Sequence, residues 1–211
     1  MLKIKRFYGC ENLPAFTVRD VKILPLLHKF QKEIIMKLIS ALLIALFCLV
    51  SSAQGASLIL NNTPAQVYFS PDGGATAAIV RELRSAKSEI LVQAYSFTSK
   101  PIAKALVDAK KRGLRVEIIL DKSNNSARYS AADFTAHMGI PTYIDYAHAI
   151  AHNKVMIIDR ETVITGSFNF TKAAEYRNAE NLLILKNGEL ARIYIDNWLL
   201  HKNHSQMYQG R

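Results

Sequence analysis

Cysteine is nearly absent. Only Cys10 and Cys48 occur in 211 residues, both in the first quarter of the chain. A domain made from the remainder therefore has no disulfide and no thiolate nucleophile, which also suits it to an oxidising compartment. A long hydrophobic run is missing too. The longest apolar stretch, Leu38 to Val50, falls short of the roughly 20 residues that span a bilayer. Internal repeats, low-complexity tracts and linkers are absent, which argues against a solenoid or a second globular domain. No cluster of carboxylates of the kind that holds Mg2+ is visible either.

Half of the residues are hydrophobic, enough for one buried core. The formal charge of +10 divides evenly. The first 53 residues hold eight Lys and Arg against three acidic residues, the rest nineteen against fourteen, so each part carries +5. A surplus of that size on a small domain favours anionic partners, nucleic acid or acidic lipid, without choosing between them.

In "MKLISALLIALFCLVSSAQGA", Lys37 precedes the apolar stretch, and Ser51 and Ala53 are small residues where a signal peptidase needs them. Residues 36–53 are expected to be a cleaved signal peptide, which would make the product periplasmic or secreted. Retention of the segment would leave it membrane-anchored. A leader so far inside a chain is unusual, so translation is expected to begin at Met36, with residues 1–35 a non-native extension. The functional domain is then 54–211.

Along that domain, short β-branched runs alternate with longer helical stretches, the pattern of an α/β fold. "AQVYFS", "EILVQAYSF", "LRVEIILD", "PTYIDY", "KVMIID", "TVITGSF" and "NLLILK" read as strands. "GATAAIVRELRSAK" sets Ala78, Ile79, Leu83 and Ala86 near one helical face. "PIAKALVDAKKR" starts with Pro101 in its first turn and stops at Gly113. A helix is expected at about Ala131 to Met138 and a last one in "GELARIYIDNWLLHKN". A tight turn at Arg160 and Glu161 should join two of the strands.

The chemistry lies in "HNKVMIID". In an extended chain His152 and Lys154 project to one side and can address one ligand, while Asp159 falls on the opposite side and reads as a structural anchor. In "GSFN", Gly166 permits close backbone approach, and Ser167 and Asn169 share a face by the same alternation. A histidine, a lysine, a hydroxyl and an amide converging on one point would hold a tetrahedral oxyanion such as phosphate.

His152, Lys154, Asp159, Gly166, Ser167 and Asn169 together match HxKx4Dx6GSxN, and the chain is identified by it as a member of the phospholipase D superfamily. The run "HNKVMIIDRETVITGSFNFTKAAEYRNAEN" is particularly similar to the small single-motif bacterial endonucleases of the Nuc type. The resemblance implies a phospholipase D-like mixed β-sheet flanked by helices, in a single domain. It implies a phosphodiesterase that works without metal or other cofactor through a phosphohistidine. His152 would be the nucleophile or acid, Lys154 and Asn169 would bind phosphate oxygens with help from Ser167, and Glu180 would orient a catalytic histidine. Asp159 and Gly166 would be structural.

Two histidines are needed and one copy of the motif is present, so a homodimer with its active site at the interface is expected. The substrate expected from the resemblance and the charge is DNA, with RNA also in view, cleaved without sequence preference. Hydrolysis of phospholipid headgroups is the alternative within the same chemistry, and a nucleic-acid-binding protein without turnover is a second.

Plainer readings stand beside these. Asp145, His148 and His152 are spaced as metal ligands would be on a helix, but the strand after Pro141 argues against one, so no metal is expected there. His137, His201 and His204 read as surface residues of helices. The basic group Lys110, Lys111, Arg112 and Arg115 suits a helix C-terminus better than a phosphate-tracking patch. Tyr95 and Phe97 read as core or cleft wall.

Overall fold

The computed structural model describes residues 28–39, 55–126 and 130–210, in two compact units, Met1–Gly55 and Ala56–Arg211. In the first unit, residues 28–39 form helix α1, exposed along its length. The rest of the expected leader and extension lies outside the described residues. No helix among the described residues is long and apolar enough to cross a membrane.

The second unit is a mixed sheet of eight strands with helices on both faces. Its elements are β1 (Ala65–Ser70), α2 (Ala75–Ser85), β2 (Glu89–Ala94), α3 (Lys100–Lys111), β3 (Arg115–Asp121), α4 (Ser123–Ser126), α5 (Ala132–His137) and β4 (Thr142–Asp145). They continue with β5 (Lys154–Ile158), β6 (Thr162–Gly166), α6 (Lys172–Tyr176), β7 (Glu180–Lys186), α7 (Gly188–His204) and β8 (Gln206–Tyr208). The strand order is β1-β7-β6-β5-β2-β3-β4-β8, with β2, β3 and β4 parallel and the other pairings antiparallel.

Alternation along the strands builds two cores. Met156 and Ile158 of β5 join Ile90 and Val92 of β2 beneath α2 and α3, whereas Val155 and Ile157 join Leu91, Ile119 and Trp198 on the α7 face. The helical face read from the sequence is the one that packs: Ala78, Ile79, Leu83 and Ala86 are all buried. Trp198 anchors α7 by donating from its indole nitrogen to the Val92 carbonyl at 2.9 Å.

Three local readings are corrected. The β5–β6 turn centres on Asp159 and Arg160, not on Arg160 and Glu161. Both central residues have positive φ, 53° and 58°, and Glu161 N closes the turn on Ile158 O. That is the mirror-image hairpin turn whose twist matches its strands, and aspartate tolerates it better than glutamate does. The strand "EILVQAYSF" ends its regular pairing at Ala94: Tyr95 N still donates to Asn153 O, one step further along the β2–β5 register, and Phe97 keeps only an isolated bridge to Phe170. A short final strand, β8, was not legible at all; it exists only by pairing with β4.

The basic group at the end of α3 serves the fold. Arg112 donates to the carbonyls of Leu83 and Ala86, and Arg115 pairs with Glu89 and Glu117. These contacts lie where β2 and β3 begin, at the far end of the sheet from His152.

Candidate active site

The expected site residues gather where β5 and β7 begin and β1, β2 and β6 end. Lys154 is the first residue of β5 and pairs with Ala94, the last residue of β2. Continuing the register that sets Met156 opposite Ile164 brings Lys154 abreast of Gly166. One end of the sheet thus receives both halves of the motif.

Lys154 is only 6% exposed. Its Nζ lies 3.1 Å from His152 Nδ1 and 2.8 Å from His152 O, and 5.0 Å from the centre of the Tyr95 ring. The His152 ring rests against Tyr95 with centroids 4.5 Å apart. Burial lowers the Lys154 pKa, and the charge of Glu180 acts in the opposite direction without cancelling that effect. A charged Lys154 donates, so Nδ1 accepts and the ring hydrogen sits on Nε2, where it is available to a leaving oxygen.

The loop before His152 is held by Asp121, whose carboxylate accepts from Ala151 N at 2.8 Å. Nothing in the sequence signalled this role for Asp121, since it is fixed by the neighbouring strand.

The second half of the motif is organised by the backbone of β7. Ser167 N and Phe168 N both donate to Asn181 O, and Asn181 N donates to Ser167 Oγ at 3.0 Å. Gly166 has φ 147°, and a Cβ there would stand 2.2 Å from Asn181 O, so only glycine fits. Asn169 sits between the buried Phe168 and Phe170, and its Oδ1 is enclosed without a hydrogen-bond partner. A buried, unpartnered amide oxygen is costly unless a donor engages it.

Glu180 stands at the start of β7. Its Oε1 accepts from Asn178 Nδ2 at 3.1 Å, and its backbone N donates to Ser70 Oγ. It acts on Lys154 through its charge, and within one chain it makes no hydrogen bond to His152. Ser70, like Asp121, was not singled out from the sequence.

Asp159 lies at the opposite end of β5, about 17 Å along the strand from Lys154. Its carboxylate accepts from Lys87 N, Ser88 N, Ser88 Oγ and Glu89 N at 2.8–3.1 Å. It therefore pins the α2–β2 connection to the hairpin, and does so from the turn beyond β5, where strand alternation no longer applies. Glu175, also unforeseen, is buried and accepts from Gly74 N and Thr76 N. It caps α2, whose own N-cap residue, Gly74, has no side chain to do so.

The reading of His201 and His204 as plain surface residues is corrected. Both turn to Asp145, and His148 joins them there, apart from His152. The reason is tertiary: the end of α7 packs beside the end of β4.

Residues 79–199 match the family model "Cardiolipin synthase, PLD-like domain". A protein named phospholipase D from Rickettsia bellii is 42% identical over 143 residues, 68% of this chain and 71% of its own. Mouse mitochondrial cardiolipin hydrolase is 30% identical over 56% of this chain and 53% of its own. The crystal structure of Nuc from Salmonella typhimurium, a phospholipase D family member, superposes with a TM-score of 0.68 at 43% identity, covering 71% of this chain and all of that one. With the fold, the motif and these likenesses in agreement, the chain belongs to the phospholipase D superfamily and is one of its phosphodiesterases.

Proposed function

We propose that this phosphodiesterase is an endonuclease that cuts DNA, and RNA as a secondary substrate, through a phosphohistidine, with two copies of His152 facing one phosphate across a homodimer interface. The observation that carries the reading is the single His152–Lys154 pair per chain at one end of the sheet. In-line displacement with protonation of the leaving oxygen needs one imidazole on each side of phosphorus.

In the first step Lys154 turns its donor to the phosphate and frees Nδ1 of one His152 to carry the ring hydrogen. Nε2 then attacks phosphorus with its lone pair, the ester P–O bond breaks, and the leaving oxygen takes the Nε2 proton of the second His152, which enters doubly protonated. In the second step water gives that proton back as its oxygen attacks phosphorus, and the N–P bond breaks. Lys154 and the Nδ2 end of Asn169 would hold the non-bridging oxygens, and Ser167 would keep Asn169 in place through β7. Glu180 would balance the cationic site. Ile150 and Phe69 support an intersubunit contact: they lie within two residues of His152 and Ser70 in the chain and are exposed by 58% and 67%.

The net positive charge favours nucleic acid over a zwitterionic headgroup. Cleavage of the predicted leader would place the enzyme in the periplasm or outside the cell. The names of the Rickettsia and mouse relatives keep phospholipid as the rival substrate. Purified enzyme should nick supercoiled plasmid during a brief exposure to excess chelator and should release no headgroup from phosphatidylcholine or cardiolipin liposomes. His152→Ala should abolish the nicking. Headgroup release without nicking would reverse the assignment, and nicking retained by His152→Ala would remove it from this site.

A further inference from the structure

Four side chains converge at the end of β4. Asp145 is fully buried, and its Oδ1 accepts from the backbone nitrogens of Ala147 and His148. Its Oδ2 is approached by three imidazoles, His148 Nδ1 at 2.9 Å, His201 Nδ1 at 3.0 Å and His204 Nε2 at 3.2 Å. One ligating atom from each of the four residues lies within 4.8 Å of all the others.

We propose that Asp145, His148, His201 and His204 form a binding site for one divalent transition-metal ion, zinc foremost, that fixes the loop leading into His152. A tetrahedral zinc with nitrogen and oxygen ligands at about 2.0–2.1 Å has ligand atoms about 3.4 Å apart. The three Asp145–histidine separations are already close to that edge. Small rotations of the rings, now with centroids 4.8–5.3 Å apart, complete the tetrahedron. Three imidazoles with one carboxylate suit zinc and disfavour Mg2+ and Ca2+, which take oxygen.

Hydrogen bonding alone explains the arrangement less well. A carboxylate oxygen has two lone-pair directions, and three ring nitrogens crowd this one. Crowding of this kind is what a shared ion relieves. A fully buried carboxylate also needs a counter-charge, and a dication supplies it.

The ligands join distant parts of the chain. His201 and His204 are one turn apart at the end of α7, which Trp198 anchors in the core. His148 lies within the six residues between Asp145 and His152, a loop whose other ties are Lys122 Nζ to His148 O and Ala151 N to Asp121. The ion would thus couple the site loop to the sheet without touching the substrate. His148 and His204 are 45% and 37% exposed, which leaves the ion a way in.

The test measures metal directly on the purified full chain. Elemental analysis should find about one equivalent of zinc, removable by prolonged dialysis against chelator. Adding zinc back should raise Tm by about 5 °C or more. Co2+ should give the intense visible bands of a tetrahedral site, and the double variant His201→Ala/His204→Ala should lose both metal and bands. Should that variant fail to fold, X-ray absorption on the wild-type zinc form decides, with three imidazoles and one oxygen expected. Less than a tenth of an equivalent bound, with no Tm change and no cobalt bands, would leave a hydrogen-bonded cluster only and overturn the proposal. Undiminished metal in the double variant would overturn it as well. None of these readouts depends on nuclease activity.

Discussion

Lys154 holds His152 twice, through the ring Nδ1 at 3.1 Å and through the backbone carbonyl at 2.8 Å. One ammonium thus sets both the ring's tautomer and the position of its peptide. Replacing it with an uncharged chain of similar length should cost more than a phosphate contact alone. Lys154→Met is expected to lower kcat/KM by about 10²–10³, and His152→Ala by on the order of 10⁴ or more. Steady-state cleavage of a fluorogenic phosphodiester measures both. Comparable small losses would show that the pair is not the reaction centre.

The pH profile carries a second expectation. Burial keeps the Lys154 pKa below the ordinary lysine value, and Glu180 pulls it upward. The charged lysine is lost as pH rises, so activity should decline on an alkaline limb that lies below pH of about 10.4. In Glu180→Gln the upward pull disappears, and the limb should move to lower pH. A limb that stays in place would mean that Glu180 acts on something other than Lys154.

Asp159 should matter to stability and not to chemistry. Asp159→Ala removes an acceptor shared by four donors and is expected to cost about 2 kcal/mol, a fall in Tm of about 4–8 °C. The folded enzyme should keep its kcat. Burial opposes ionisation of this carboxyl, but the hydrogen bonds prevail and hold its pKa below the ordinary range. The folded value lies below the unfolded one, so its stabilisation is complete above pH of about 3.9 and is lost as pH falls through the folded value. Acid titration of Asp159→Asn beside wild type checks the sign.

Gly166→Ala should disturb the site through the backbone. With φ 147° and Asn181 O only 2.2 Å from the added methyl, β6 and β7 must part. Destabilisation of about 1–3 kcal/mol is expected, with activity lost in excess of the unfolded fraction because Ser167 and Asn169 follow directly. Urea denaturation paired with activity per folded molecule separates the two effects.

A shared site predicts dominance in mixtures. If each site takes His152 from both subunits, only wild-type pairs cleave. After subunit exchange with a ninefold excess of His152→Ala, activity per wild-type chain should fall to about a tenth. Unchanged activity per wild-type chain would show that one subunit suffices and remove the dimer from the mechanism.

Neighbouring residues were the legible ones. A strand repeats every two residues, which is how His152 and Lys154 read as sharing a side, although β5 begins only at Lys154 and Asp159 stands apart because it lies in the turn at the other end. The βα alternation was legible for the same reason, since it depends on short-range periodicity, whereas the meeting of Lys154 with Gly166 needs β5 and β6 to pair. The turn was misplaced by one residue because its type depends on the twist of both strands.

Contacts between distant segments left no such trace. Asp121 beneath Ala151, Ser70 under Glu180 and Glu175 at the start of α2 owe their positions to strand order and to helix packing. The histidines at 148, 201 and 204 look unrelated in the chain, and they meet Asp145 only because α7 closes over the sheet. Periodicity determined which side chains leave a strand together; the burial of Trp198 and the pairing of β4 with β8 decided what they would find there.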